Sequence, residues 1–160
     1  MFNIRQSFKT GLSFGITSGV ITTLGLTIGL YSSTHSRVVV IGGILVIAVA
    51  DALSDALGIH ISEESDKKSS PKEIWEATFS TFISKFIIAL TFVVPILFFV
   101  LSTAIVVGVL WGLFLIGFFS FFLAKQKGEK PHKIILEHLV IAILVIIITY
   151  QIGEWISIFN

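Results

Sequence analysis

Five apolar stretches, each about long enough to cross a bilayer, limit what this chain can become. They run Gly11–Leu30, Val38–Ile61, Ala77–Val100, Thr103–Ala124 and Ile134–Ile156. A spanning helix needs roughly 20 apolar residues, because the hydrocarbon core is about 30 Å thick and a helix rises about 1.5 Å per residue. In hydrocarbon every backbone polar group must be satisfied internally, so each stretch is predicted to be a helix. The expected fold is all-α: a polytopic membrane protein, with residues 1–160 forming one domain of five transmembrane helices. Composition agrees. Hydrophobic residues make up 54% of the chain, charged residues 13%, and mean hydropathy is +0.97. A soluble fold could not bury that much apolar surface.

The first stretch could be mistaken for a signal peptide, since Arg5 and Lys9 precede it. Its apolar run is too long for that, and no clear small-residue cleavage site follows. The basic residues set the expected orientation. Arg5, Lys9, Lys67, Lys68, Lys72, Lys125, Lys127, Lys130 and Lys133 fall on one side, and only Arg37 falls on the other. This bias predicts an N-terminus inside and a C-terminus outside. The chain is then a multi-pass integral membrane protein, of the cell membrane in a prokaryote or a vacuole-type membrane in a eukaryote.

The function classes narrow quickly. A net charge of +1 argues against nucleic-acid partners. The absence of cysteine removes disulfides, thiolate metal sites and cysteine nucleophiles. The basic segment 124–133 reads as a topology determinant, with lipid-headgroup or regulatory binding as its alternative. Pro95 is expected to kink span 3 near its outer end.

Span 1 contains "SFGITSGVITTLGLTIGL", residues 13–30, with six hydroxyl side chains and four glycines. A helix that only had to sit in lipid would need neither. Gly11, Gly15 and Gly19 lie four apart, as do Gly25 and Gly29, so each set shares a helix face. Small residues let another helix approach closely, and in lipid close packing is what holds helices together. The neighbour is either another span of the chain or a second copy, a homodimer.

Span 2 carries Asp51 and Asp55 on one stripe, continued by Gly58 and Ser62. An intramembrane carboxylate is costly and normally faces a partner or a water-filled path. Counted from the inner ends of the helices, Asp51 lies about 15 Å deep, Asp55 about 9 Å, Lys85 of span 3 about 13 Å and Ser18 about 10 Å. Depth therefore pairs Lys85 with Asp51, and Ser18 with Asp55. A hydroxyl and a carboxylate at one level offer oxygen ligands to a hard divalent cation. Asp55 and Ser18 are thus the candidate metal ligands. Asp51, Lys85, Thr22 and Ser54 are candidates for a transport path or an ion pair. At the inner mouth, Glu63 and Glu64, with Asp66, form either a solvated loop or a cation-gathering vestibule. His60 is an interfacial polar group or a ligand.

The residues 18–29, "SGVITTLGLTIG", resemble the first-helix signature of the vacuolar iron transporter family, Asp-Gly-Leu-Val-Ser-Thr-Leu-Gly-Leu. "SDALGIHIS", residues 54–62, resembles that family's Ser-Met-Ala-Ala-Gly-Glu-Tyr-Val-Ser in helix 2. Pro95, the "LFLIGFFSFFLAKQKGEKP" segment and "ITYQIGEWI" extend the resemblance over nearly the whole chain. It implies a five-helix protomer that dimerises, with a cation path between the copies lined by helices 1 and 2. It also implies proton-coupled antiport of ferrous iron or manganese out of the cytosol. The metal ion is then substrate, and no cofactor is permanently bound. The chain departs from the pattern at the site. Ser18 stands where the family has aspartate, Asp55 replaces methionine and Ile59 replaces glutamate. The family's cytosolic metal-binding insert is reduced to Ser62–Glu73. Losing the soft methionine ligand shifts preference toward all-oxygen coordination.

Three other functions compete. A proton relay or a transporter of another solute could use Asp51, Asp55 and Lys85. A membrane scaffold would use none of them. An enzyme is not expected: Ser18 before Gly19 lacks a deep histidine base, and the two aspartates sit on one helix rather than on two facing ones.

Overall fold

The computed structural model describes residues 6–67 and 69–159; Arg5 and Lys68, invoked above for topology, lie outside them. Every regular element among these residues is a helix: α1 (Gln6–Thr34), α2 (Arg37–Ser65), α3 (Pro71–Thr91), α4 (Val93–Phe98), α5 (Leu101–Lys127) and α6 (Pro131–Ser157). With α3 and α4 taken as one span, five are long and apolar enough to cross a membrane. The chain is thus an all-helical, multi-pass membrane protein by length and composition.

Local chemistry sets the helix ends. The Ser36 side chain caps α2 by accepting from the Val39 amide. Ser70 and Glu73 form a capping box at the start of α3, and Pro71 takes the first helical position, where no amide hydrogen is needed. Gly128 ends α5 at φ 69°, a left-handed conformation that glycine adopts without penalty. Helix α2 continues through Ser65 and α3 begins at Pro71, so both ends of the polar 62–73 segment are helical.

The break in span 3 falls at Phe92, three residues before Pro95. Proline has no amide hydrogen and crowds the preceding turn, so the Thr91 carbonyl loses its helical partner. The Thr91 hydroxyl donates to the Ile88 carbonyl at 2.6 Å and accepts from Trp111 Nε1 at 3.0 Å, tying the break to α5.

The helices alternate in direction. At one end the Ser7 hydroxyl donates to Glu76 at 3.2 Å; at the other, Arg37 donates to the Phe99 carbonyl at 2.6 Å. Helix α1 runs through the middle, against α2, α3, α5 and α6. Its Val20, Leu24 and Ile28, one turn apart, join Ile44 of α2, Phe92, Ile96 of α4 and Ile116 of α5 in a buried core.

The glycines decide which helices touch α1. A Cβ on Gly11 would overlap Ser80 Oγ and the Ala77 carbonyl of α3, and one on Gly15 would overlap Ser84 Oγ and lie 2.5 Å from the Thr81 carbonyl. On the other set, a Cβ at Gly25 would come within 2.9 Å of Val145 in α6. Both glycine sets are therefore filled by neighbours within the chain. Of the two partners considered for them, the chain itself supplies the contact.

Candidate functional site

Gly19 is the last rung of the α1–α3 ladder. A Cβ there would sit 3.2 Å from Lys85 Cγ and 3.3 Å from its Cα. This close approach brings α3 near enough for the Lys85 side chain to pass across the α1–α2 seam. Its side chain is only 2% exposed. An ammonium so enclosed needs partners that satisfy its charge and its three N–H donors.

Those partners are Asp51, Asp55 and Ser18. Lys85 Nζ lies 2.5 Å from Asp51 Oδ2, as an ion-pair contact without hydrogen-bond geometry. It also contacts Asp55 Oδ2. It donates to Ser18 Oγ at 2.9 Å, and Ser18 Oγ in turn donates to Asp55 Oδ2 at 2.6 Å. The four groups come from three helices. Ser18 is twelve residues into α1, Asp55 ten from the end of α2 and Lys85 fourteen into α3. At the helical rise these are about 18, 15 and 21 Å from one end of the bundle, so the cluster lies well inside the helices.

Depth counting paired Lys85 with Asp51 alone; the structure pairs it with both carboxylates. The aspartates are one helical turn apart, about 6 Å along α2, and a flexible four-carbon stem can bridge that interval. The matching of Ser18 with Asp55 is met by their hydrogen bond.

The remaining candidates separate. Thr22, one turn beyond Ser18, donates to the Ser18 carbonyl at 2.9 Å. It lines a groove of about 530 Å³ with Leu26 and Gly29 of α1, Ile47 of α2 and Thr149 of α6. Ser54 and Gly58 are exposed on α2, and neither joins the cluster. His60 Nδ1 is 2.9 Å from Thr78 Oγ1, and its ring meets Trp75 edge-on, so it fastens α2 to α3. Glu63 accepts from Ser69 at 3.0 Å within the α2–α3 turn, while Glu64 is exposed.

One polar pair escaped the sequence reading. Ser120 of α5, 3% exposed, is 2.8 Å from His138 Nδ1 of α6. The signal was present: a histidine seven residues inside an apolar helix requires a partner.

Chemically, the cluster sets two carboxylates and a hydroxyl around one buried ammonium. Two carboxylates and one ammonium carry one net negative charge, and the aspartate side chains remain 27% and 20% exposed. Among the described residues no group of three or more His, Asp or Glu could hold a metal ion. No family model matches the chain, and no curated protein matches it.

Proposed function

We propose that this chain is a proton-coupled divalent-cation exporter of the vacuolar iron transporter type, acting on iron or manganese as a homodimer. The observation that carries the reading is Asp55, a carboxylate within a membrane-spanning helix, held by Ser18 and Lys85 yet still one-fifth open. The span-1 signature at residues 18–29 and the five-span arrangement support the family reading.

Neutrality in a low dielectric gives the coupling. A divalent cation entering between Asp51 and Asp55 takes the place of the Lys85 ammonium, and in a low dielectric its charge is balanced only if positive charge leaves the cluster as protons. Cation entry is thereby tied to proton release.

The dimer reading rests on the open side of α2. Leu53, Ser54, Leu57 and Gly58 are exposed beside the two partly open carboxylates. In a lone protomer these carboxylates would border hydrocarbon, which is unfavourable. A second copy over α2 would cover them and bring a second Asp55 to the path.

The absence of a multi-residue metal cluster among the described residues favours one alternative, proton or other-solute transport by the same residues. Liposomes holding the purified protein separate the two. Manganese or ferrous ion uptake that accelerates with an opposing proton gradient, and is abolished by Asp55→Asn, supports the first. Proton flux that needs no metal supports the second. Normal metal flux through Asp55→Asn, with unchanged pH dependence, would falsify the site.

A further inference from the structure

We propose that a cleft between α1, α5 and α6, at the end of the bundle where α1 begins, binds a phosphate-bearing anion. Two adjoining cavities of about 380 and 390 Å³ share Lys9, Ser13, Leu123 and Gln126. The outer cavity adds Gln6, Thr10 and Lys127. The inner one adds Thr17, Ser120 and His138. No carboxylate lines either cavity.

The lining suits an anion in order of depth. Two ammonium groups stand at the mouth, where attraction at a distance matters most. The Gln6 and Gln126 amides and the Ser13 hydroxyl follow and can donate, whereas the Thr10 and Thr17 hydroxyls donate to the Gln6 and Ser13 carbonyls of their own helix. At the bottom, the buried Ser120 holds the His138 ring through Nδ1, a bond that leaves the second ring nitrogen unused. His138 is seven residues into α6 and Ser120 seven from the end of α5, about 10 Å below the helix ends. Polar side chains are expensive at that depth unless they have work to do. Phosphate oxygens accept charge-assisted hydrogen bonds from all of these donor types. Glu137, next to His138, is exposed and does not line the cleft.

The phosphate could belong to a lipid headgroup or to a free anion. Leu12, Phe118 and Phe122 wall the inner cavity and would accept an acyl chain. The cleft shares no lining residue with the Asp55 cluster, so it stands apart from the transport reading.

The test uses the full chain in phosphatidylcholine nanodiscs. One arm adds phosphatidylglycerol, and the other adds inorganic phosphate to the aqueous phase. Binding is followed by native mass spectrometry and by the unfolding temperature. We expect binding in at least one arm. Lys9→Gln with Lys127→Gln should weaken it roughly tenfold, and so should His138→Ala. Lys133→Gln, a nearby charge outside the cleft, should leave it unchanged. Unfolding in phosphatidylcholine alone checks that the variants fold; should His138→Ala fail that check, the two lysine changes at the mouth decide. Response to phosphatidylglycerol alone assigns a lipid site, and response to phosphate assigns a free-anion site. No response in either arm, or equal weakening by Lys133→Gln, overturns the proposal.

Discussion

Gly19 rests against Lys85: a methyl group on the glycine would meet the lysine Cγ at 3.2 Å and its Cα at 3.3 Å. The helix contact that packs α1 on α3 is therefore the same contact that sets the lysine beside Asp51 and Asp55. Packing and charge placement share one cause, and each can be tested separately.

Gly15→Ala should destabilise the protein by about 1–3 kcal/mol, the usual cost of overpacking a tight contact. Its Cβ would lie 2.5 Å from the Thr81 carbonyl, which is backbone and cannot swing away. Gly42→Ala, with nothing within 4 Å, should leave stability unchanged or slightly raised. Thermal unfolding of both variants in one detergent compares them. Equal stability would remove the ladder as a determinant of the fold.

Lys85→Leu should destabilise the protein by about 2–4 kcal/mol, because it leaves two part-buried carboxylates without their counter-ion. Adding Asp51→Asn and Asp55→Asn should restore much of that loss. The triple variant, Lys85→Leu alone and the double asparagine variant complete the cycle. Purely additive losses would mean that the three charges do not act together.

The proposed homodimer predicts where copies touch. Both glycine sets of α1 are occupied within the chain, so contact should move to the open face of α2. Single cysteines at Ser54 and Gly58 are expected to crosslink between copies in membranes, while a cysteine at Gly15 should not. Crosslinks restricted to the exposed faces of α5 or α6 would place the interface elsewhere.

Topology follows from the lysines. A reporter fused after Asn160 should be found outside, and one inserted between Ser69 and Ser70 inside. Both reporters on the same side would contradict an odd number of crossings.

Much of the fold was legible from the chain itself because its causes are local. Twenty apolar residues in succession must become a helix in hydrocarbon, whatever their neighbours. Ser70–Pro71 with Glu73, Gly128 and Pro131 mark their helix ends through contacts within a turn or two. Pro95 announced the break in span 3 because the defect it creates lies in its own helix. Asp51, Asp55 and Lys85 were conspicuous for a similar reason, since charge in an apolar run is visible without any partner.

Who meets whom was decided only in three dimensions. Depth counting reduces each residue to one coordinate and cannot show helix rotation or side-chain reach, so it gave Lys85 one aspartate where the structure gives it two. The same limit hid the bond between Ser120 and His138, eighteen residues apart on two helices. It also kept Ser54 among the candidates, although α2 turns that side chain away from the cluster. Spacing in the chain places the α1 glycines on common faces. Only the packed bundle shows that those faces hold α3 and α6, because close packing depends on the shapes of both surfaces at once.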